Sequence, residues 1–364
     1  MLALGTENGP CTFNKDGATT SPNPYSWNDE SAFIWIDNPV GSGFSHASSP
    51  AGWDHNETQV AADLLRFLVS FLDQHKEYNG RPLYISGESY AGHYVPSFAY
   101  AVHESNLAGK TNISLAGIAI GNGLTDPVAQ YDGYYQELAY NYSKTAVGEP
   151  RVTLEQYEQM NAAQPRCNQL IQACQDNTGE CAEAESYCNN ALFGPYEESG
   201  YNPYDIRVKC QVQPLCYDFS YATKFLNDPA TQRDLGVDRQ WESCNFQVNA
   251  GFGSDWMKDQ QWKVPALLSS GVRVVVYAGD MDFIVNWLGV QAWTLALKWD
   301  GHDAFNAVTP HKWQPAGAKE AYGEARTYQN FTFLRVFNAG HMVPRDQPLA
   351  ASVMVKTIFA GGEF

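Results

Sequence analysis

The chain has 364 residues, 44% hydrophobic and 13% aromatic, enough to bury a large core, and a formal net charge of −17. That negative charge, with no basic run, excludes nucleic acid and anionic membrane surfaces as partners because like charges repel. No stretch approaches the roughly 18 consecutive apolar residues that a membrane span needs, so the composition points to a soluble enzyme with a small or peptide substrate.

In chain order, residues 31–37 (SAFIWID) read as a buried strand, followed by a Pro/Gly loop at 38–45. A helix is expected over 57–76, with Val60, Leu64, Phe67, Leu68 and Phe71 as its apolar stripe. Strand 82–86, helix 90–105 and strand 115–120 repeat the alternation, which implies mostly parallel strands with helices on both faces. Between 127 and 262 the alternation stops and the sequence turns polar, aromatic and cysteine-rich. It resumes with strand 272–278, helix 287–297, strand 331–337 and helix 349–359. The expected organisation is an α/β core in two parts, 1–126 and 263–364, interrupted by an inserted lid.

Six of the eight cysteines, Cys167, Cys174, Cys181, Cys188, Cys210 and Cys216, crowd into that insertion, while Cys11 and Cys244 stand apart. Their spacing lacks the short Cys-x2-Cys pairs and the histidines of a zinc site, so disulfides are expected and no metal. Four Asn-x-Ser/Thr sequons, at Asn56, Asn112, Asn141 and Asn330, agree with the secretory pathway, vacuolar or extracellular. The first ten residues, MLALGTENGP, have neither the basic start nor the apolar stretch of a signal peptide.

The segment LYISGESYAG at 83–92 sets Ser89 on a sharp turn between an apolar strand and a helix. Small residues there leave room for the reversal, and the strain raises the serine oxygen above the sheet edge. The Tyr90 backbone N–H at the helix start is then a candidate oxyanion donor. Ala91 departs from the strict G-x-S-x-G form. A serine hydroxyl needs a histidine to take its proton and a carboxylate to hold the imidazole. GDMDFI at 279–284 and NAGHMVP at 338–344 each follow an apolar strand, where open α/β sheets place their sites. They supply His341 and either Asp280 or Asp282, which spacing does not separate; one of the two can instead cap the following helix. His93, one turn beyond Ser89, reads as a packed structural histidine.

With NPYSWN at 23–28, DNPVGSGFS at 37–45, GESYAGHYVP at 87–96, GNGLTDP at 121–127, YAGDMDFIVNWLG at 277–289 and AGHMVPRDQP at 339–348, the chain resembles the serine carboxypeptidase family, in its fungal carboxypeptidase Y-like branch. The resemblance implies an α/β-hydrolase fold, with Ser89 as nucleophile, Asp282 rather than Asp280 as acid and His341 as base. It implies that Glu88 and Glu7 read the free C-terminal carboxylate of a peptide. Three carboxylates together repel unless protons are shared, so binding should tighten at acidic pH with Glu88 or Glu7 raised in pKa. Leu124, Tyr131, Trp256, Ile284 and Met342 match, with Tyr90, an apolar pocket for the side chain before the scissile bond. The resemblance also implies the pairs Cys167–Cys188, Cys174–Cys181 and Cys210–Cys216.

Members of that family carry a W-N-G-G-P-G-C-S-S segment and its strands upstream of the part matched here. That segment supplies a second oxyanion N–H and the partner of the cysteine matching Cys244. The chain is therefore expected to be a fragment, with Cys11 and Cys244 unassigned. The leading expectation is a carboxypeptidase acting on peptide C-termini through an acyl-enzyme, without a cofactor. An acyltransferase or esterase of the same family, and an inactive truncated homologue, are the competing readings.

Overall fold

The computed structural model describes residues 1–364. Its organising element is a six-stranded sheet. The strands are β1 (Leu83–Glu88), β2 (Leu115–Gly121), β3 (Arg273–Gly279), β4 (His311–Trp313), β5 (Gly323–Tyr328) and β6 (Phe331–Val336), in spatial order β1-β2-β3-β6-β5-β4. The first four in that order pair in parallel, and β5 and β4 add antiparallel to the far edge. This closing hairpin is absent from the sequence reading. His311–Trp313 is short and Gly323–Tyr328 alternates charge with small residues, so neither forms an apolar run.

Both faces of the sheet are buried, which is why its central strands read as unbroken apolar runs. Along β3, Val274, Val276 and Ala278 pack into one core with helices on that face, while Val275 and Tyr277 enter the opposite core. Ile118 and Ile120 of β2 share the first face with Phe331 and Phe333 of β6; Ala119, Leu334 and Val336 share the second. Fully burying each such valine, isoleucine or phenylalanine is worth about 1.5–3 kcal/mol.

Helix α1 (Glu57–Gln74) begins where the Asn56 side chain accepts from the Gln59 N–H. Val60, Leu64 and Leu68 are buried as the periodicity predicts, but Phe67 is 41% exposed and leaves the expected stripe. Helix α2 (Ala91–Leu107) follows β1 directly and packs against α1 on the first face. The expected strand at 31–37 is not one. The segment is extended and alternates its burial, yet no ladder forms and Ile34 and Ile36 are 43% and 38% exposed. Its apolar alternation specifies an extended chain, whereas a strand also needs a neighbour to accept its hydrogen bonds.

Residues 127–262 are mostly helical. Helix α3 (Leu154–Asp176) starts at a reciprocal capping box between Thr153 and Gln156. It is joined to α4 (Cys181–Cys188) by the disulfides Cys167–Cys188 and Cys174–Cys181. A small antiparallel pair, Tyr201–Asn202 with Asp205–Lys209, is followed by the disulfide Cys210–Cys216. All three bridges match the pairs implied by the resemblance, while Cys11 and Cys244 are free. This segment shares its apolar core with Leu124, Met281 and Phe283, which border the sheet. After β3 come α5 (Trp287–Ala296), capped by Asn286, and finally α6 (Pro348–Phe359) on the second face. No helix is long and apolar enough to cross a membrane.

Candidate active site

Ser89 follows β1 with φ 66°, in the left-handed region that a non-glycine residue adopts at a cost of about 1–2 kcal/mol. The turn is held from both sides: the Ser89 N–H donates to the Gly121 carbonyl at 3.0 Å, and its carbonyl accepts from the Leu124 N–H at 3.0 Å. Gly92 lies so close to the Leu124 backbone that a Cβ would sit 2.4 Å from its carbonyl oxygen, which explains the small residue after Ala91. Tyr90 caps α2 with helical backbone angles, and its N–H has no hydrogen-bond partner within the chain. A free N–H at a helix N-terminus is what an oxyanion donor requires.

The structure separates the two aspartates. Asp282 is fully buried; its Oδ2 accepts from His341 Nδ1 at 2.7 Å and from Asn122 Nδ2 at 2.8 Å, and its Oδ1 accepts from the Ile284 N–H at 3.0 Å. A carboxylate only accepts, so Nδ1 of His341 carries a proton and donates to it, which leaves Nε2 on the far side of the ring free of this contact. Asp280 neither faces the histidine nor caps a helix. Its Oδ1 accepts from the Asn338 N–H at 2.8 Å and its Oδ2 from Arg335 at 3.2 Å, which anchors the loop that leads to His341. The two loops meet closely: a Cβ on Gly279 would lie 2.2 Å from the Gly340 carbonyl oxygen. The Asp282–His341 hydrogen bond is thus formed, while none joins Ser89 to the histidine ring. Such contacts are often loose before substrate binds.

Glu88, the last residue of β1, and Glu7, at the end of the short helix Leu2–Thr6, come together beside this group. One Glu88 oxygen is buried without a hydrogen-bond partner. Burial is the main cause that pushes the Glu7 carboxyl up to about 7, opposed by the nearby His341 ring and by the contact with Glu88. Burial, then the charges of Glu7 and Asp282, raise Glu88 well above the ordinary carboxyl range. Both residues are half-buried, and two neighbouring carboxyls withdrawn from water in this way tend to share a proton.

Around Ser89, the ring of Tyr90 lies 5.0 Å from that of Trp256, and Ile284 packs on the adjoining core. Leu124, Tyr131 and Met342 are buried, and the Tyr131 hydroxyl donates to Asn189 at 3.1 Å. His93 is a fully buried histidine, as expected. Of the sequons, Asn112 and Asn141 are exposed and Asn56 caps α1. The amide nitrogen of Asn330 instead donates to the Leu268 and Val272 carbonyls at 3.0 and 2.7 Å.

Several site residues escaped the sequence reading. Asn122, at φ 40°, holds Asp282 with its Nδ2 and accepts the Gly279 N–H on its Oδ1 at 3.1 Å. Tyr204 accepts the His341 N–H at 2.8 Å, and Asp346 accepts the Gly340 N–H at 2.6 Å. Asn122 lies in the GNGLTDP motif, but its place between two glycines after an apolar strand equally describes a turn and gives it no role.

A nucleophile turn, a buried acid–base pair and a mostly parallel sheet, in this chain order, define an α/β-hydrolase. The family profile described as serine carboxypeptidase matches residues 1–361, and the chain belongs to that family. Carboxypeptidase Y homolog A of Paracoccidioides brasiliensis (strain Pb03) is 41% identical over 372 residues, which cover 99% of this chain and 65% of that protein. Carboxypeptidase Y of Komagataella phaffii is 42% identical over 346 residues, 93% of this chain and 64% of that protein. The chain therefore spans somewhat under two-thirds of the length of these relatives. The crystal structure of Kex1Δp, a prohormone-processing carboxypeptidase from Saccharomyces cerevisiae, superposes with a TM-score of 0.85 at 27% identity. It covers 99% of this chain and 80% of that one.

Proposed function

We propose that the protein is a serine carboxypeptidase that releases the C-terminal amino acid of peptides. The observation that carries this reading is the buried Asp282–His341 pair together with the Glu7–Glu88 carboxyls beside the Ser89 turn. The first supplies a base for a serine, and the second supplies a proton-bearing receptor for a terminal carboxylate. In this mechanism Ser89 Oγ attacks the last peptide carbonyl as its proton passes to His341 Nε2. Asp282 steadies the imidazolium, and the Tyr90 N–H donates to the developing oxyanion. The C–N bond then breaks, His341 returns the proton to the leaving amine, and an acyl ester remains on Ser89. Water, deprotonated by His341, hydrolyses that ester.

Residues 127–262 are the lid in this reading, and 1–126 with 263–364 the catalytic core. Tyr90, Leu124, Tyr131, Trp256, Ile284 and Met342 favour an apolar residue before the scissile bond. The disulfides fit an oxidising compartment, vacuolar or extracellular. The test is release of amino acid from an N-blocked dipeptide at acidic pH. Ser89→Ala is expected to reduce kcat at least about 1000-fold, and amidating the peptide C-terminus to abolish cleavage. Retained activity in the variant, or equal cleavage of the amide, would overturn the reading.

A further inference from the structure

Behind the Ser89 turn lies a second group of buried ionisable side chains that this mechanism leaves unused. Asp255, 6% exposed, ties three elements together. Its Oδ1 accepts from the Glu57 N–H at the first turn of α1, at 3.3 Å, and its Oδ2 accepts from the Tyr90 hydroxyl at 3.1 Å. Its carbonyl oxygen lies 3.3 Å from Nε2 of His93, one turn into α2. The residue that follows is Trp256, whose ring is tilted against that of Tyr90 at 5.0 Å, and the Tyr90 ring also stacks on His93 at 4.6 Å.

Beside Asp255 sits Glu57, 4% exposed, with neither carboxyl oxygen hydrogen-bonded. Burial first and the Asp255 charge second push the Glu57 carboxyl well above its usual range, against a weaker pull from Lys263. Asp255, by contrast, accepts a hydrogen bond on each of its oxygens. Burying a carboxylate costs several kcal/mol that an apolar residue of similar size would not incur. What the carboxylate uniquely supplies is two acceptors in fixed directions, one for the start of α1 and one for the Tyr90 ring.

We propose that Asp255 is a positioning residue, with Glu57 as its buried partner. It clamps the Tyr90 ring against Trp256 and so sets the shape of the apolar subsite beside Ser89. The kinetic consequence rests on the carboxypeptidase reading, whereas the clamp itself does not. Asn at 255 keeps only one acceptor oxygen, so one of the two bonds is lost; Tyr90→Phe removes the hydroxyl and leaves the carboxylate in place.

The experiment compares Asp255→Asn and Tyr90→Phe with the parent protein on N-blocked dipeptides that carry Phe or Ala before the scissile bond. Both variants are expected to lose about tenfold in kcat/KM on the Phe substrate, mostly through KM, the size of one hydrogen bond to a charged group. The Ala substrate, which fills little of that pocket, should lose clearly less than the Phe substrate in each variant. Equal losses on the two substrates, or no loss on Phe, overturn the proposal. If Asp255→Asn fails to fold, Tyr90→Phe decides by the same criterion. If the parent cleaves neither dipeptide, the carboxypeptidase reading fails instead. The clamp is then decided by the crystal structure of Tyr90→Phe: a ring displaced from Trp256 supports it, and an unmoved ring overturns it.

Discussion

In the sheet, β2, β3 and β6 turn apolar side chains to both faces, and every loop that carries a catalytic candidate leaves the C-terminal end of one of these parallel strands or of β1. Residues 127–262 have only one short strand pair, and their helices are cross-linked by Cys167–Cys188 and Cys174–Cys181. The two regions therefore obtain rigidity by different means. Where backbone ladders and burial fix the geometry, substitutions near the strand ends should alter chemistry more than stability. Where covalent links fix it, their removal should alter stability more than chemistry.

The sharpest test on the core side is Asp282→Asn. An amide in place of the carboxylate favours the wrong imidazole tautomer, so a fall in kcat of about 10⁴-fold is expected, with thermal unfolding little changed. On the insertion side, Cys167→Ala with Cys188→Ala opens a bridge spanning 21 residues. It should cost ~3 kcal/mol in denaturant unfolding, while the triad still reacts with a small fluorophosphonate. A variant that loses labelling and stability together would erase the contrast.

A smaller effect sharpens it through pH. The Glu7 carboxyl is raised from 4.5 to about 7 in the folded chain, so the folded protein holds a proton over that range which the unfolded chain has released. Rising pH therefore reduces stability across that window, because the native state binds more protons than the unfolded state. Above about 7 the ionised Glu7 also repels a terminal carboxylate. KM for free-acid peptides should climb through this region, and Glu7→Gln should flatten the climb; an unchanged profile in that variant would count against the shared proton. The smallest effects concern glycans. Asn112 is exposed, so Asn112→Gln should remove one glycan's mass on a gel with stability unchanged within about 0.5 kcal/mol. Asn330→Gln should leave the mass as it was, because its amide nitrogen is engaged with two backbone carbonyls.

The same division explains what the sequence makes legible. Apolar runs buried on both faces announce β1, β2, β3 and β6, and polar clusters just after them bring Ser89, Asp282 and His341 into view. The choice between Asp280 and Asp282 is illegible from spacing, since two residues in one turn point in different directions and only tertiary contacts reveal which one meets the imidazole. Residues 31–37 mislead because alternation specifies an extended backbone without specifying a neighbour. Asn122 and Asp255 stay hidden because their partners, Asp282 and Tyr90, lie 160 and 165 residues away in the chain. Polar residues of this kind look locally like turn formers.

Strand β6 lies between β3 and β5 in space, yet it is the last strand in the chain, and His341 follows it directly. A nascent polypeptide emerging from the ribosome can therefore display Ser89 and Asp282 while the centre of its sheet is still open. Strand β6 pairs with β5 across a tight turn but with β3 across a long stretch of chain, so β5 and β4 join the sheet only when residues 331–336 arrive; long-range pairing of this kind is slow to form. In the proposed mechanism, synthesis order thus delivers the general base, His341, after Ser89 and Asp282 and just behind the strand that seats it.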